Sequence, residues 1–344
     1  MKKTTMLLTV VLAFTLILGA CTVPEVAAPP EEEVVVEAPV EEAVEEEVVA
    51  EPEPEFEFDA SVKADAEYDI AVVLKNSNNP FWLQHVDGAE AAGTDLGVNI
   101  TTYAPETPSS IEEQITIIED IITKGVDCMV LAPAHTDSIA VAVAKLNEAG
   151  IPVVYDNTRG SGGDFVAYAG IDNVAVGKRL GEHIAGLMGG EGKLLMLEGI
   201  PGQSTSDLRV QGVKEALANF PNIEVEYQPA HWELSEASDI TTAVLQKWPD
   251  LKAIIAAGSN MSEGAAEAAK TAGVNMDDII IGSFDVTDQT IEALKNGSVD
   301  FTIDQQPFLQ AYYSVGICVQ KLNGMDVPQE VRTPVAFLTV GDLE

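Results

Sequence analysis

Positive charge is scarce in this chain. Its 344 residues hold 18 Lys and Arg against 56 Asp and Glu, a formal net charge of −38. A protein that grips nucleic acid must offer cations to displace counterions from phosphates, so nucleic acid is excluded as a ligand. Histidine is also sparse: His85, His135, His183 and His231 never fall at metal-ligand spacing, and no metal site is expected. There is no Gly-x-Gly-x-x-Gly between strand and helix, no Walker Gly-Lys-Ser/Thr ending and no Gly-x-Ser-x-Gly elbow. The glycine clusters at residues 160–163 and 189–192 read as turns. With no nucleophile set beside a base, neither catalysis nor a cofactor is expected. Three cysteines are too few for a disulfide framework. Cys128 and Cys318 lie in apolar stretches, where buried neutral thiols usually sit. A disulfide between them stays open, because sequence does not place their Cα atoms.

What is present begins with an address. Lys2 and Lys3 precede an apolar run over residues 6–18, closed by Leu18-Gly19-Ala20-Cys21, the layout of a secretory signal over residues 1–20. The run has 13 residues, short of the roughly 20 a membrane-crossing helix needs. A cysteine directly after Gly-Ala resembles the lipobox of bacterial lipoproteins, which implies Cys21 as the lipid-modified N-terminus, anchored on the outer face of the cytoplasmic membrane. Residues 22–59 then carry fifteen acidic residues and no Lys or Arg, amid repeated Val, Pro and Ala. Such a segment cannot bury enough apolar surface to offset ordering entropy, so residues 21–59 read as an extended tether. The alternative is an acidic tail for a basic partner. The tether carries −15 and the two leading lysines +2, leaving −25 on residues 60–344, a surface suited to solubility outside the cell.

Those 285 residues suffice for two domains. Strands are expected at 69–74, 98–103, 128–131 and 152–155, alternating with helices at 80–96, 109–124 and 137–149. A second series follows a strand at 165–169: helices at 173–188, 208–219, 235–247, 262–272 and 288–296 alternate with strands at 193–197, 223–227, 253–256 and 279–281. A last helix falls at 307–322. Continuous apolar strands alternating with helices mean parallel sheets covered on both faces, an α/β class. Two such units make two lobes, and a ligand is expected in the crevice outside the carboxyl ends of their strands.

The loops after those strands carry a resemblance. Asn78-Asn79-Pro80-Phe81-Trp82, Ala132-Pro133-Ala134-His135-Thr136-Asp137, Gly150-Ile151-Pro152 through Asp156-Asn157, and Gly170-Ile171-Asp172-Asn173 stand in order. Arg209-Val210-Gln211-Gly212, Gly282-Ser283-Phe284-Asp285 and Thr302-Ile303-Asp304-Gln305-Gln306-Pro307 follow. The ordered set resembles the ribose-type periplasmic sugar-binding proteins, substrate-binding components of ABC importers, over nearly all of the folded part. The resemblance implies two Rossmann-like lobes joined by three hinge crossings, near Gly170, Gln305 and Arg332. The N-terminal lobe would then hold residues 60–170 and 306–331, and the C-terminal lobe 171–305 and 332–344, in a monomer that hands a sugar to the transmembrane subunits of a permease.

A sugar shows apolar C–H faces and a rim of hydroxyls, which calls for aromatic walls edged by bidentate polar groups. The resemblance places Phe81, Trp82 and Trp232 as walls and Asp156, Arg209, Asp285 and Gln305 as polar contacts, with Asn79 adding an amide. Asn79 also suits a helix N-cap, Phe81 a core position, Arg209 an ion pair with Asp207 or Glu215, and Gln305 a backbone-bonding hinge role. Departures from the ribose pattern add candidates. Asp156-Asn157 stands where the pattern has Asp-Arg, with Arg159 displaced beyond it. Asn260 is the one amide near an expected Asn-Asp pair, and Lys75 replaces a small polar residue. A hexose, a deoxysugar, a polyol and an acidic sugar derivative all remain open as ligands. A sensory receptor that presents its closed form to a chemoreceptor or kinase remains open beside the transport role.

Overall fold

The computed structural model describes residues 61–343. Cys21, the signal and the acidic tether lie outside the described residues.

The first lobe opens with β1 (Asp69–Val73), α1 (Pro80–Leu96), β2 (Asn99–Tyr103), α2 (Ile111–Lys124), β3 (Cys128–Leu131), α3 (Ala140–Glu148), β4 (Val153–Asp156) and β5 (Ala167–Gly170). The second runs through α4 (Asn173–Leu187), β6 (Glu191–Glu198), α5 (Ser204–Leu217), β7 (Asn222–Pro229), α6 (Leu234–Lys247) and β8 (Leu251–Ala256). It continues with α7 (Ser259–Thr271), β9 (Ile280–Phe284), α8 (Asp288–Lys295) and β10 (Phe301–Asp304). The chain then returns as α9 (Pro307–Leu322), β11 (Glu330–Arg332) and β12 (Ala336–Thr339).

Each lobe is built on a six-stranded sheet, ordered β11-β5-β4-β3-β1-β2 in the first and β12-β10-β9-β8-β6-β7 in the second. All pairings are parallel except β12 against β10. Strands such as β3 and β4 are buried throughout, which is why they read as unbroken apolar runs. Helix starts follow capping chemistry. Asn79 accepts from the Phe81 amide with Pro80 opening α1, Ser110 caps α2, and Asp172 caps α4 through the amides of Val174 and Ala175.

Boundaries differ from the sequence pattern where polar residues mislead. The helix expected from 137 begins at Ala140, because His135 Nδ1 accepts the amides of Asp137 and Ser138 and holds them in a turn. α5 and α7 begin earlier than expected, at Ser204 and Ser259, serine-rich turns that read as loop. β11 and β12 are too short for a periodic signal.

The chain passes between lobes after β5, after β10 and after β11. Thr333 ties these crossings together: its amide donates to Gly170 O at 3.0 Å and its hydroxyl to Gln305 O at 3.2 Å. Arg332 Nη1 adds a 2.7 Å bond to Ile171 O.

α9 returns to the first lobe, packing on α1 and over β3, β4 and β5. There the structure corrects one expectation: Cys128 and Cys318 are not buried thiols but a disulfide, with Cα atoms 5.9 Å apart. The bridge staples β3 to a helix 190 residues later, around all of the second-lobe sheet but β12. Closing a loop of that length restricts the unfolded chain by about 3–5 kcal/mol. Reduction, or the paired replacement Cys128→Ala and Cys318→Ala, is therefore expected to lower unfolding free energy by about 2–5 kcal/mol in denaturant titration. Equal midpoints with and without reductant would refute this.

Candidate functional site

The carboxyl ends of both sheets face one cavity between the lobes, the place where parallel-sheet folds bind small molecules. The first lobe contributes Lys75, Asn76 and Asn79 after β1, Phe81 and Trp82 from the first turn of α1, Pro108 and Ser109 after β2, and Asn157 after β4. The second contributes Ile200, then Thr205 and Arg209 on α5, and His231, Trp232 and Glu233 after β7. It adds residues 257–261 after β8, Asp285 after β9 and Gln305 after β10. Ten of the eleven candidate contacts meet here: Lys75, Asn79, Phe81, Trp82, Asn157, Arg209, Trp232, Asn260, Asp285 and Gln305.

Asp156 does not. It is the last residue of β4 and shares the pleat side of Val154, which packs in the α1/α9 layer, while Val153 and Tyr155 face the α2/α3 layer. Its carboxylate is fully buried behind the cavity, accepting from Ser314 on α9 at 3.3 Å and lying 3.4 Å from His85 Nε2 on α1. Neither His85 Nε2 nor Asp156 Oδ2 makes an aligned hydrogen bond. Burial drives His85 down to about 3, so the imidazole is neutral and the pair is not an ion pair. The next residue, Asn157, turns into the cavity with φ 59°. Of the expected pair Asp156-Asn157, only the amide reaches the cavity. Arg159 points away, paired with Glu330 at 2.8 Å.

Arg209 is 1% exposed. It donates through Nη1 to Ala257 O at 2.5 Å and through Nε and Nη2 to Asn173 Oδ1 at 3.2 and 2.9 Å, and its guanidinium stacks 3.6 Å over Phe284. Asp207 and Glu215, the partners its sequence neighbourhood offered, bind elsewhere: Asp207 accepts the Gly202 amide and Glu215 pairs with Lys178. Asp285 accepts from Gln305 Nε2 at 2.6 Å, and the backbone amide of Ser259 donates to the same carboxylate. Burial raises this carboxyl to about 6 against the opposing pull of Arg209 and Gln305. Burial also lowers Arg209 to about 10. Lys75 donates to Thr158 Oγ1 at 2.5 Å, and burial, then Arg209, bring it down to about 7. The Asn79 side-chain oxygen caps α1, so its NH₂ remains for a ligand, and Asn260 lines the cavity with no side-chain hydrogen bond among the described residues. Phe81 serves both the first-lobe core and the cavity wall.

Backbone strain gathers at this site. Among the described residues six non-glycine residues have positive φ, and Ser109, Asn157, His231, Trp232 and Asp285 line the cavity. The sixth, Gln306, follows Gln305 at the hinge. Held αL conformations cost on the order of 1–3 kcal/mol each and persist where the surroundings impose them. Trp232 also needs a bare neighbour: a Cβ on Gly199 would lie 1.9 Å from its ring. Sequence reasoning missed Asn76, Ser109, Thr205, His231, Glu233 and Ser259. Each adjoins a flagged residue, and only its place on the cavity wall marks it. Among the described residues no group of three His, Cys, Asp or Glu side chains is placed to hold a metal ion.

Burial raises the Asp156 carboxyl to about 7 from an ordinary 3.8. Between those values the unfolded chain releases the proton and the folded chain keeps it. Stability from this group is therefore full below pH about 4 and declines as pH rises to about 7. Asp156→Asn removes that slope. The variant-minus-wild-type melting difference is expected to grow by on the order of 5 °C from pH 4 to 7 and to level off above. A difference constant with pH would show that the carboxyl titrates normally.

Comparison with known proteins agrees with this architecture. Residues 70–326 match the periplasmic binding protein domain. The chain is similar to the ribose import binding protein of Haemophilus influenzae, 30% identical over 282 residues that cover 82% of this chain and 94% of that one. It is 31% identical to the D-allose-binding periplasmic protein of Escherichia coli, over 72% of this chain and 82% of the relative. Among solved structures, an ABC transporter solute-binding protein from Actinobacillus succinogenes with bound D-allose superposes with a TM-score of 0.75 at 27% identity, covering 80% of this chain and 98% of that one. With two parallel-sheet lobes, a three-crossing hinge and a cavity between them, the chain belongs to the periplasmic binding protein family.

Proposed function

We propose that this chain is the exported, lipid-anchored solute receptor of an ABC importer, capturing a monosaccharide, polyol or related sugar derivative by lobe closure and delivering it to a membrane permease. The observation that carries the reading is the cavity wall. Aromatic rings come from both lobes, Phe81 and Trp82 from one and Trp232 from the other, and between them stand polar groups with bonding capacity to spare. Asp285 offers an acceptor, Arg209 and Lys75 donors, and Asn79 and Asn260 amides, which suits a ring of hydroxyls around apolar C–H faces. Relatives named for ribose and allose, and a neighbour that holds allose, support the same class.

Cys21 carries the lipid in this reading, and residues 22–59 hold the receptor off the membrane. The protein acts as a monomer, without cofactor or catalysis, and returns its ligand unchanged.

Calorimetric titration with pentoses, hexoses, deoxysugars, polyols and sugar acids tests the reading. A micromolar ligand corresponds to about 8 kcal/mol of binding free energy. Trp232→Ala and Asp285→Ala are each expected to weaken it about 10–100-fold, the second by removing a charged hydrogen-bonding partner. Failure of every compound in the panel to bind would overturn the proposal.

A further inference from the structure

The lobes meet most densely at one loop, the residues between β6 and α5. Gly202 O accepts the Thr136 amide at 3.0 Å, and the Ser204 amide donates to Thr136 Oγ1 at 2.7 Å. Ser204 Oγ accepts from Arg159 N at 3.1 Å and donates to Arg159 O at 2.9 Å, while Thr205 and Thr158 share a hydroxyl bond of 2.6 Å. All of these join a second-lobe residue to a first-lobe one, and all use protein groups alone.

Gln203 ends this loop as the N-cap residue of α5, with a side chain that is 0% exposed. Its Nε2 donates to Ala134 O in the first lobe at 2.8 Å. Its Oε1 accepts from the indole N–H of Trp232 at 2.8 Å, on the second-lobe wall of the cavity, and lies 3.4 Å from Lys75 Nζ on the first-lobe wall. One amide therefore touches both walls of the cavity and the contact that joins the lobes. Parting the lobes would exchange its bonds to Ala134 and Lys75 for bonds to water, a modest net loss for each bond.

We propose that Gln203 is the positioning residue that couples the cavity to closure: it sets the Trp232 indole and the Lys75 ammonium and, through the same amide, latches the second lobe to the first. It does not line the cavity; it acts through two residues that do. This rests on the reading of the cavity as a ligand site, yet the latch consists of bonds between protein groups, so it biases the lobes toward closure before any ligand arrives. A ligand that seats Trp232 and Lys75 further favours the arrangement in which Gln203 is satisfied, which is how differential affinity for the closed state arises.

The test needs no ligand, so it is decided even if the sugar panel fails. Small-angle scattering of the full chain measures the closed-to-open ratio, acrylamide quenching measures exposure of the tryptophans, and melting temperature reports the folds of the lobes. Gln203→Leu keeps the bulk and removes all three bonds. It is expected to lower the closed-to-open ratio about tenfold and to increase quenching, with melting temperature within a few degrees of wild type. Ser204→Ala removes the bonds to Arg159 but none to Trp232 or Lys75, and is expected to open the lobes with a smaller rise in quenching. Gln203→Glu keeps the acceptor for Trp232 and Lys75 and loses only the donor to Ala134. It is expected to lower the ratio with no more rise in quenching than Ser204→Ala gives, and it serves as the decisive variant if the leucine form does not fold. Unchanged scattering in both Gln203 variants would overturn the proposal, as would opening of the leucine variant with no more quenching than Ser204→Ala gives.

Discussion

Three neighbouring crossings, pinned together by Thr333, constrain everything else in this molecule. Because the amide and hydroxyl of one residue hold the carbonyls of Gly170 and Gln305, the lobes are jointed along one edge. The carboxyl ends of both sheets are thereby left pointing at the same space. Parallel strands put their loops at those ends, so residues spread from Lys75 to Gln305 reach one cavity without any of them being close in sequence. The last helix strengthens the joint's foundation: it crosses back, lies on α1 and is stapled to β3 by the disulfide.

The cavity concentrates what the rest of the protein avoids. In a chain of net charge −38, two of its few cations, Lys75 and Arg209, are 5% and 1% exposed and face the same space. Each is perturbed chiefly by burial, as is Asp285. Buried charges of this kind contribute little net stability, because desolvation offsets their attraction. Their value lies in geometry: Arg209 is held on three sides by Asn173, Ala257 and Phe284, so its remaining N–H groups are aimed before a ligand arrives. The positive-φ residues around the same space carry a similar meaning, since a strained backbone survives where its surroundings over-determine it.

Much of this was legible in the sequence, and the reasons are local. Buried parallel strands leave continuous apolar runs, helices leave caps, and the polar and aromatic residues that follow a strand occupy the end where ligands bind. Asp285, Trp232 and Arg209 were identifiable on those grounds together with the family resemblance. Asp156 shows where such reading fails. As the last residue of β4 it still obeys the strand's alternation, and a carboxylate expected in the cavity lies instead against His85 and Ser314. Pleat parity at a strand terminus depends on where pairing stops, and β4 stops according to its partners β3 and β5.

Local pattern is enough to specify the alternation of strands and helices, the two-lobed plan, the acidic composition and the pool of residues from which the site is drawn. These follow from periodicity, capping and charge, which are properties of neighbouring residues. It takes the packed fold to bring Cys128 to Cys318, to turn Asn157 and not Asp156 into the cavity, and to set Gln203 against both of its walls. Each of those depends on distances between segments as many as 190 residues apart, set by how the two sheets stack their helices and meet at the hinge, and no local pattern carries them.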